Sequence, residues 1–417
     1  MERIKIKNFI VLEDIHIELK RLNIFIGKQG TGKSLLSKLI YFFKSIPIEM
    51  LNAVDQKAEF KKFVEMQEEK FISYFYLESY FKEEFLIEYE FDNKKIIVNN
   101  KEKFEIIFSE YYENLYNEIR NKYLELEALE FKNTEGFILD AAPIVKTFSY
   151  IIDKLKKEGN DLFLHEQLFI PSGRSFYSIL AKNIFSILEN INNINDPFII
   201  RFGRLYEQLK KKEFFKDVNK NENSIFNIKI NQILNGNFIK EKNEDFIKLN
   251  NGKLVKLSQA SSGQQEILPL ILALKNIVYK KDKVGKTLYI EEPETHLFPE
   301  TQKKIVELIS LVFNIKKDIQ FFITTHSPYI LVALNNLMIA EHLYSNISDE
   351  NKKRKINEIV NSDFHISLKD VSAYLFENGK IENIKDNFII SADIIDEISD
   401  VLAKQFDSLM EWIDEID

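Results

Sequence analysis

Residues 22–34, LNIFIGKQGTGKS, run from a short apolar stretch straight into a glycine-rich loop that ends in lysine and serine. The loop Gly27-Lys28-Gln29-Gly30-Thr31-Gly32-Lys33-Ser34 matches G-x-x-x-x-G-K-[ST] at every fixed position. Glycines at these places let backbone N–H groups turn inward around phosphate oxygens. The following SLLSKLIYFFKSI has helical spacing, so a helix N-terminus would add its partial positive charge to the same anion site. In this strand–loop–helix setting Lys33 is expected to reach the β- and γ-phosphates of ATP, and Ser34 to ligate Mg²⁺.

Working outward, residues 3–7 and 15–19 alternate apolar and polar side chains and predict two strands ahead of the loop. FLIEYEFDNKKIIVNN predicts a β-hairpin turning at Asp92-Asn93. Helical stretches are expected around 55–85, 105–130, 145–158 and 176–215, and turns at the two Asn-Gly pairs within 225–256. The last third recovers a strand–helix rhythm: a helix after Gly263, a buried strand TLYIEE, a helix over 299–313 and a second buried strand IQFFITTH. That alternation predicts an α/β core with mostly parallel strands, to which the first strand–loop–helix also belongs. The expected division is 1–54 and 251–340 as two parts of the nucleotide-binding core. A mainly helical insertion with a β-hairpin lies between them, over 55–250, and an extension over 341–417 has a tail, from about 385, that ends in the acidic helix ADIIDEISDVLAKQFDSLMEWIDEID.

Three later motifs carry candidate chemistry. Glu291 and Glu292 end the strand LYIEE; the first carboxylate is placed to hold Mg²⁺, the second to orient and deprotonate water. Ala260-Ser261-Ser262-Gly263-Gln264-Gln265 opens a helix and forms a second anion site. His326 follows the next buried strand, where an imidazole could bond the γ-phosphate or the attacking water. His296 is read as either a site residue or a helix cap.

Composition narrows the classes. The 417 residues are 45% hydrophobic and contain no cysteine. That excludes compositional disorder, disulfides, thiolate metal sites and thiol catalysis, and fits a cytoplasmic setting. The net charge of −8 lacks the global footprint of a nucleic-acid binder, although a local basic face for DNA stays open. The opening MERIKIKNFIVLEDIHIEL is not a secretory signal, and no run of 18 apolar residues predicts a membrane helix.

Taken in order, GKQGTGKS, ASSGQQ, YIEEPETHLFP and TTHSP resemble the ABC-type ATPases, more narrowly their OLD-like and SMC-like (AAA-15/AAA-21) branch. The N-terminal strand pair with Asn8-Phe9 and the "IP-x-x-R" segment LFIPSGRSF (168–176) resemble the same branch. The resemblance implies an α/β, ABC-type P-loop head with a mixed β-sheet core. It also implies a homodimer or higher homo-oligomer in which two heads sandwich ATP head-to-tail, so that Ser261, Ser262, Gly263 and Gln264 meet nucleotide held by the other subunit. Glu291 would replace the usual Mg²⁺-binding aspartate, Glu292 would be the catalytic base, His326 the switch histidine, and Gln167 the Mg²⁺-sensing glutamine. No Asp-x-Asp follows His326, so a TOPRIM nuclease domain is not expected. By resemblance, the output would be a separate effector, a nuclease or toxin, in anti-phage defence. The competing readings are an SMC-like ATPase that handles DNA directly, the ATPase subunit of a membrane transporter, and a nucleotide-dependent scaffold with negligible turnover.

Overall fold

A computed structural model describes residues 1–77, 83–132, 142–159, 161–179, 196–210, 224–241, 244–280, 284–386, 389–391 and 404–408 of the chain. Fourteen strands are found among them. These are β1 (Glu2–Phe9), β2 (Leu12–Leu19), β3 (Leu22–Gly27), β4 (Leu86–Phe91), β5 (Lys94–Asn100), β6 (Phe104–Phe108), β7 (Glu166–Ile170), β8 (Gly236–Glu241), β9 (Glu244–Leu249), β10 (Leu254–Lys256), β11 (Lys286–Glu291), β12 (Ile319–Thr325), β13 (Val371–Glu377) and β14 (Lys380–Asn383). Eleven form one mixed sheet in the order β6-β5-β4-β1-β2-β14-β13-β3-β12-β11-β7; β8, β9 and β10 form a small antiparallel sheet.

The large sheet has two halves. From β13 through β3, β12 and β11 to β7, every pairing is parallel. From β6 to β2, every pairing is antiparallel. The parallel half reads as continuous apolar sequence because helices cover both of its faces; β11 and β12 are buried at every position. Alternation along β3 sorts the two cores. Leu22, Ile24 and Ile26 face the helices Ser262–Tyr279 and Pro299–Ile315, whereas Phe25 faces the opposite side with Tyr289, Phe322 and Tyr374. On that second side the sheet presents rings to the helix Lys33–Asp55: Tyr289 stacks on Phe322 at 4.9 Å and meets Tyr41 edge-on at 5.5 Å. The P-loop helix is thus seated on an aromatic floor, which fixes its N-terminus relative to the strand ends.

The helices Phe60–Phe75, Glu110–Lys132 and Pro143–Lys157 and the hairpin β4–β5 fall near their expected places. The middle region, however, is not a purely appended helical body. Its hairpin joins the main sheet through β4 on β1, and β7 lies beside β11 within the parallel half. The region after 341 likewise does more than extend the core, because β13 pairs along the whole of β3, from Val371 opposite Leu22 to Phe376 opposite Gly27. Residues 225–256 hold the helix Ile225–Leu234 and the small sheet, and the chain turns at both expected Asn-Gly pairs, 235–236 and 251–252. The helix expected over 176–215 is described as Ser175–Ile179 and Pro197–Leu209, with the stretch between them outside the described residues. The expected acidic terminal helix also lies outside them, apart from a helical turn at 404–408. Among the described residues no helix is long and apolar enough to cross a membrane.

Candidate functional site

The register of the parallel half brings three motifs to one level. Thr325 lies opposite Ile26, and Glu291 lies opposite Thr324. Glu292, His326 and the loop after Gly27 therefore leave the sheet side by side at the carboxyl ends of adjacent strands, where α/β sheets place their ligands.

The loop itself is tightly held. Gly27 (φ 149°), Gly30 (φ 74°) and Gly32 (φ 98°) all occupy left-handed backbone space. A Cβ on Gly27 would overlap the carbonyl oxygen of Phe376, and one on Gly32 would overlap the Leu12 side chain. Strand β13 and the β1–β2 turn thus clamp the loop from outside, so these two glycines are required by space as well as by φ. Gly30 has nothing within 4 Å of that position. Thr31 Oγ1 donates to the Lys28 carbonyl at 2.8 Å. Lys33, only 5% exposed, donates through Nζ to the carbonyls of Gly27 and Lys28, both at 2.7 Å. Burial pushes its ammonium down to about 8, with Glu292 and then Glu294 opposing that effect. Ser34 is exposed in the first turn of the following helix.

Next to the lysine stands the imidazole of His326. Its Nδ1 lies 3.5 Å from Lys33 Nζ and its Nε2 lies 2.9 Å from Glu292 Oε1. A neutral ring with its proton on Nε2 satisfies both neighbours, accepting from the ammonium and donating to the carboxylate. That hydrogen bond is the leading reason the Glu292 carboxyl sits below its ordinary range; burial works against it, and Thr295 and Lys33 add smaller lowering effects. Glu292 therefore stays ionised at neutral pH. Its backbone is left-handed, φ 42°, a conformation that costs a non-glycine residue about 1–2 kcal/mol. Its N–H donates to the Thr324 carbonyl at 2.9 Å, which offsets part of that cost.

A third carboxylate shapes this corner. Glu294 Oε1 accepts from Thr325 Oγ1 at 2.7 Å and from the His326 N–H at 2.8 Å. Its Oε2 is buried with no hydrogen-bond partner, and burial raises the carboxyl above its usual value. Glu294 fixes the backbone from which the His326 ring projects. Sequence reading assigned it no role, although a second acid two residues beyond Glu292 was a visible signal.

Glu291, 8% exposed, accepts from the Ser172 N–H at 3.2 Å through Oε2. Ser34 and Glu291 offer one hydroxyl and one carboxylate. Both are hard oxygens of the kind Mg²⁺ takes while keeping water and phosphate oxygens as its remaining ligands. The donor chemistry fits that ion. Gln167 does not join them. It lies in register with Thr287, at the opposite end of β11 from Glu291. Its amide is occupied there, donating to the His165 carbonyl at 2.6 Å and accepting from Tyr289 Oη at 2.8 Å. The expected Mg²⁺-sensing role is therefore corrected: a glutamine facing the aromatic floor cannot reach a metal at the strand ends.

Ser261 caps the helix Ser262–Tyr279 in a capping box with Gln264, accepting from the Gln264 N–H at 3.3 Å. Ser261 and Ser262 are exposed, while Gln264 Nε2 donates to the Leu234 carbonyl at 2.7 Å. A Cβ on Gly263 would stand 2.9 Å from the His296 carbonyl. The helix start thus abuts the loop that follows Glu292, and no hydrogen bond joins Ser261–Gln264 to Gly27–Ser34 among those described. His296 is exposed with φ 59°. It does not cap the next helix, whose N-cap is Phe298.

A P-loop nucleotide-binding fold is what this strand order and strand-end chemistry define. The chain belongs to the AAA ATPase domain family (AAA_15), whose model matches residues 1–331. No curated protein matches the sequence. Among solved structures the chain is similar to an SMC head bound to the C-winged helix domain of ScpA, at 12% identity and a TM-score of 0.38, over 91% of this chain and 95% of that one. It is also similar to the SMC head domain from Thermotoga maritima, at 13% identity and a TM-score of 0.38, over 92% and 98% of the two chains.

Proposed function

We propose that the protein hydrolyses ATP at a site completed by a second copy of itself, and that this ATP-dependent pairing is a switch. One observation carries the reading. Lys33, His326 and Glu292 form a continuous hydrogen-bonded row at the strand ends, while the second phosphate-binding helix start, Ser261–Ser262, faces solvent. First-turn amides of a helix have no acceptor within it, so this start can receive an anion presented by another molecule.

In the proposed reaction the loop amides from Gly27, Lys28, Gln29, Gly30, Thr31 and Gly32 cradle the phosphates, and Lys33 neutralises the β- and γ-oxygens. Ser34 and Glu291 would hold Mg²⁺, which supplies further charge neutralisation on those phosphates. Glu292 orients a water and takes its proton as the water oxygen bonds to the γ-phosphorus and the β–γ bridging bond breaks, leaving ADP and phosphate. With a carboxyl pKa below its ordinary value, Glu292 is a weak base, so its main contribution is orientation and late proton acceptance. His326 holds that carboxylate and can bond the γ-phosphate. The partner's helix start, Ser261 to Gln264, would cover the γ-phosphate, so loss of that phosphate removes what binds the two copies together. By resemblance, the state of the pair would control a separate effector, a nuclease or toxin of anti-phage defence, with the 55–250 region carrying partner specificity.

The test is phosphate release together with light scattering. Lys33→Ala should abolish nucleotide binding, and Glu292→Gln should accumulate an ATP-dependent dimer that does not turn over. Wild-type hydrolysis rates in both variants would sink the reading.

A second reading, direct handling of DNA, is favoured by one feature. The helix Glu350–Ile359 has no buried residue and exposes Lys352, Arg354 and Lys355 in an otherwise acidic chain. On this reading duplex DNA binds with a steep salt dependence, and reversing these three charges to glutamate removes about three phosphate contacts from the slope. An absence of binding at about 0.15 M salt dismisses it.

A further inference from the structure

Arg174 is completely buried and so is Glu266, and the two form an ion pair at 3.3 Å. A buried charge of this kind is tolerated only when its hydrogen-bonding capacity is met. Here it is met by three separate segments. Arg174 Nη1 donates to the carbonyls of Pro171 at 3.0 Å and Glu291 at 2.6 Å, Nη2 to the carbonyl of Glu292 at 2.9 Å, and Nε to the carbonyl of Glu266 at 3.2 Å. The Glu266 carboxylate returns the contact, accepting from the N–H groups of Arg174 at 2.8 Å and Ser175 at 2.7 Å. Glu266 lies in the first turns of the helix that Ser261 caps. A single guanidinium therefore joins the helix that begins at the exposed serines to the last two carbonyls before the catalytic loop.

We infer that Arg174 is a positioning residue for Glu292, and that through Glu266 it makes the placement of Glu292 depend on the seat of the Ser262–Tyr279 helix. This rests on the reading of Glu292 as the base. The physical reason is local. Glu292 sits in left-handed backbone space, which a non-glycine residue leaves readily unless its surroundings hold it. The carbonyls on either side of that strained Cα are the two that Arg174 clamps. A push on the exposed helix start is passed to Glu266, then to the planar fork, then to the peptide that carries the Glu292 side chain. If the partner's nucleotide docks against Ser261 and Ser262, the signature contact at one ATP adjusts the base at the other.

Lysine keeps the buried charge opposite Glu266 but lacks the fork that spans two carbonyls. In Arg174→Lys, kcat should fall about 10- to 100-fold, the loss expected for a misplaced catalytic group, while ATP affinity stays within about threefold of wild type because the phosphate loop is untouched. A merely structural arginine would lower the melting temperature and leave the kcat of the folded protein in place. Glu266→Gln should act through the same link, so the double variant should cost no more than the worse single one. If Arg174→Lys does not fold, Glu266→Gln decides alone. Wild-type kcat in a folded variant, or losses that multiply in the double, overturn the inference. Failure of the underlying reading looks different: wild-type chain that releases no phosphate, or a Glu292→Gln variant as active as wild type, removes the base itself.

Discussion

Lys33 should make nucleotide binding pH-dependent in a range where a lysine at the ordinary 10.5 would remain charged. Burial holds its ammonium at about 8 instead of the ordinary 10.5, with Glu292 and Glu294 only partly compensating. Phosphates brought against it favour the charged form, so binding above that value must take up a proton. The sign follows from which form binds. Below about pH 8 the ammonium is already present and affinity is flat; above it, the apparent dissociation constant grows by the factor 1 + 10^(pH − 8). Between about pH 7 and pH 9 affinity should weaken about tenfold, and at about pH 9.5 about thirtyfold, as long as the bound ammonium keeps a pKa near or above its ordinary value. The assay is calorimetric titration of wild-type chain with a non-hydrolysable ATP analogue in buffers of different ionisation enthalpy. About 0.9 proton should be taken up per nucleotide at about pH 9, and about 0.1 at about pH 7. Any binding that survives in Lys33→Arg should be flat over the same range, since a guanidinium does not titrate there. A wild-type affinity that is constant from pH 7 to 9.5, with no proton uptake, would refute the argument that burial has depressed this lysine.

Two substitutions separate neighbouring features of the site. Gln167→Leu should leave ATP affinity and turnover within about twofold of wild type and lower stability by about 1 kcal/mol, the worth of the hydrogen bond that Tyr289 Oη loses; a large loss of Mg²⁺-dependent activity would restore the metal-sensing role. Gly263→Ala places a methyl 2.9 Å from the His296 carbonyl, so the helix start and the loop after Glu292 must part; turnover should fall about tenfold while ATP affinity, set at Gly27–Ser34, stays unchanged, as separate binding and phosphate-release measurements would show.

The phosphate loop was legible because its requirements are local. A strand, glycines at fixed spacing and a helix are all visible within residues 22–46, and the structure adds only the reason two of the glycines are required: Phe376 and Leu12 occupy the space a side chain would need. Glu291, Glu292 and His326 were legible because each ends a run of apolar residues, and the ends of parallel strands share one edge of a sheet. What could not be read was register between distant segments. Gln167 was a reasonable metal sensor by residue type, and only the pairing of Gln167 with Thr287 shows that β7 presents it at the wrong end. The same limit hid β13, which lies beside β3 although some 340 residues separate them. The only signal of this strand in the sequence is its own short apolar run, SAYLF (372–376), which does not say what it pairs with.

Arg174 and Glu266 mark a different boundary. In QQEILPLILALKNIVY the eight residues ILPLILAL that follow Glu266 are apolar on every side, and a helix that is apolar all round is buried. A buried carboxylate needs a cation or several donors, so the sequence did state that Glu266 has a partner. It did not state which of the chain's lysines and arginines that partner is, because the two lie 92 residues apart and no periodicity connects them. The same arginine also meets Glu291 and Glu292 through backbone carbonyls, which any residue type would provide. Contacts to the main chain leave no trace in side-chain identity. The candidate residues at the strand ends were therefore readable from the sequence, whereas what Arg174, legible only as the arginine of IP-x-x-R, holds in place became visible only once the chain had folded.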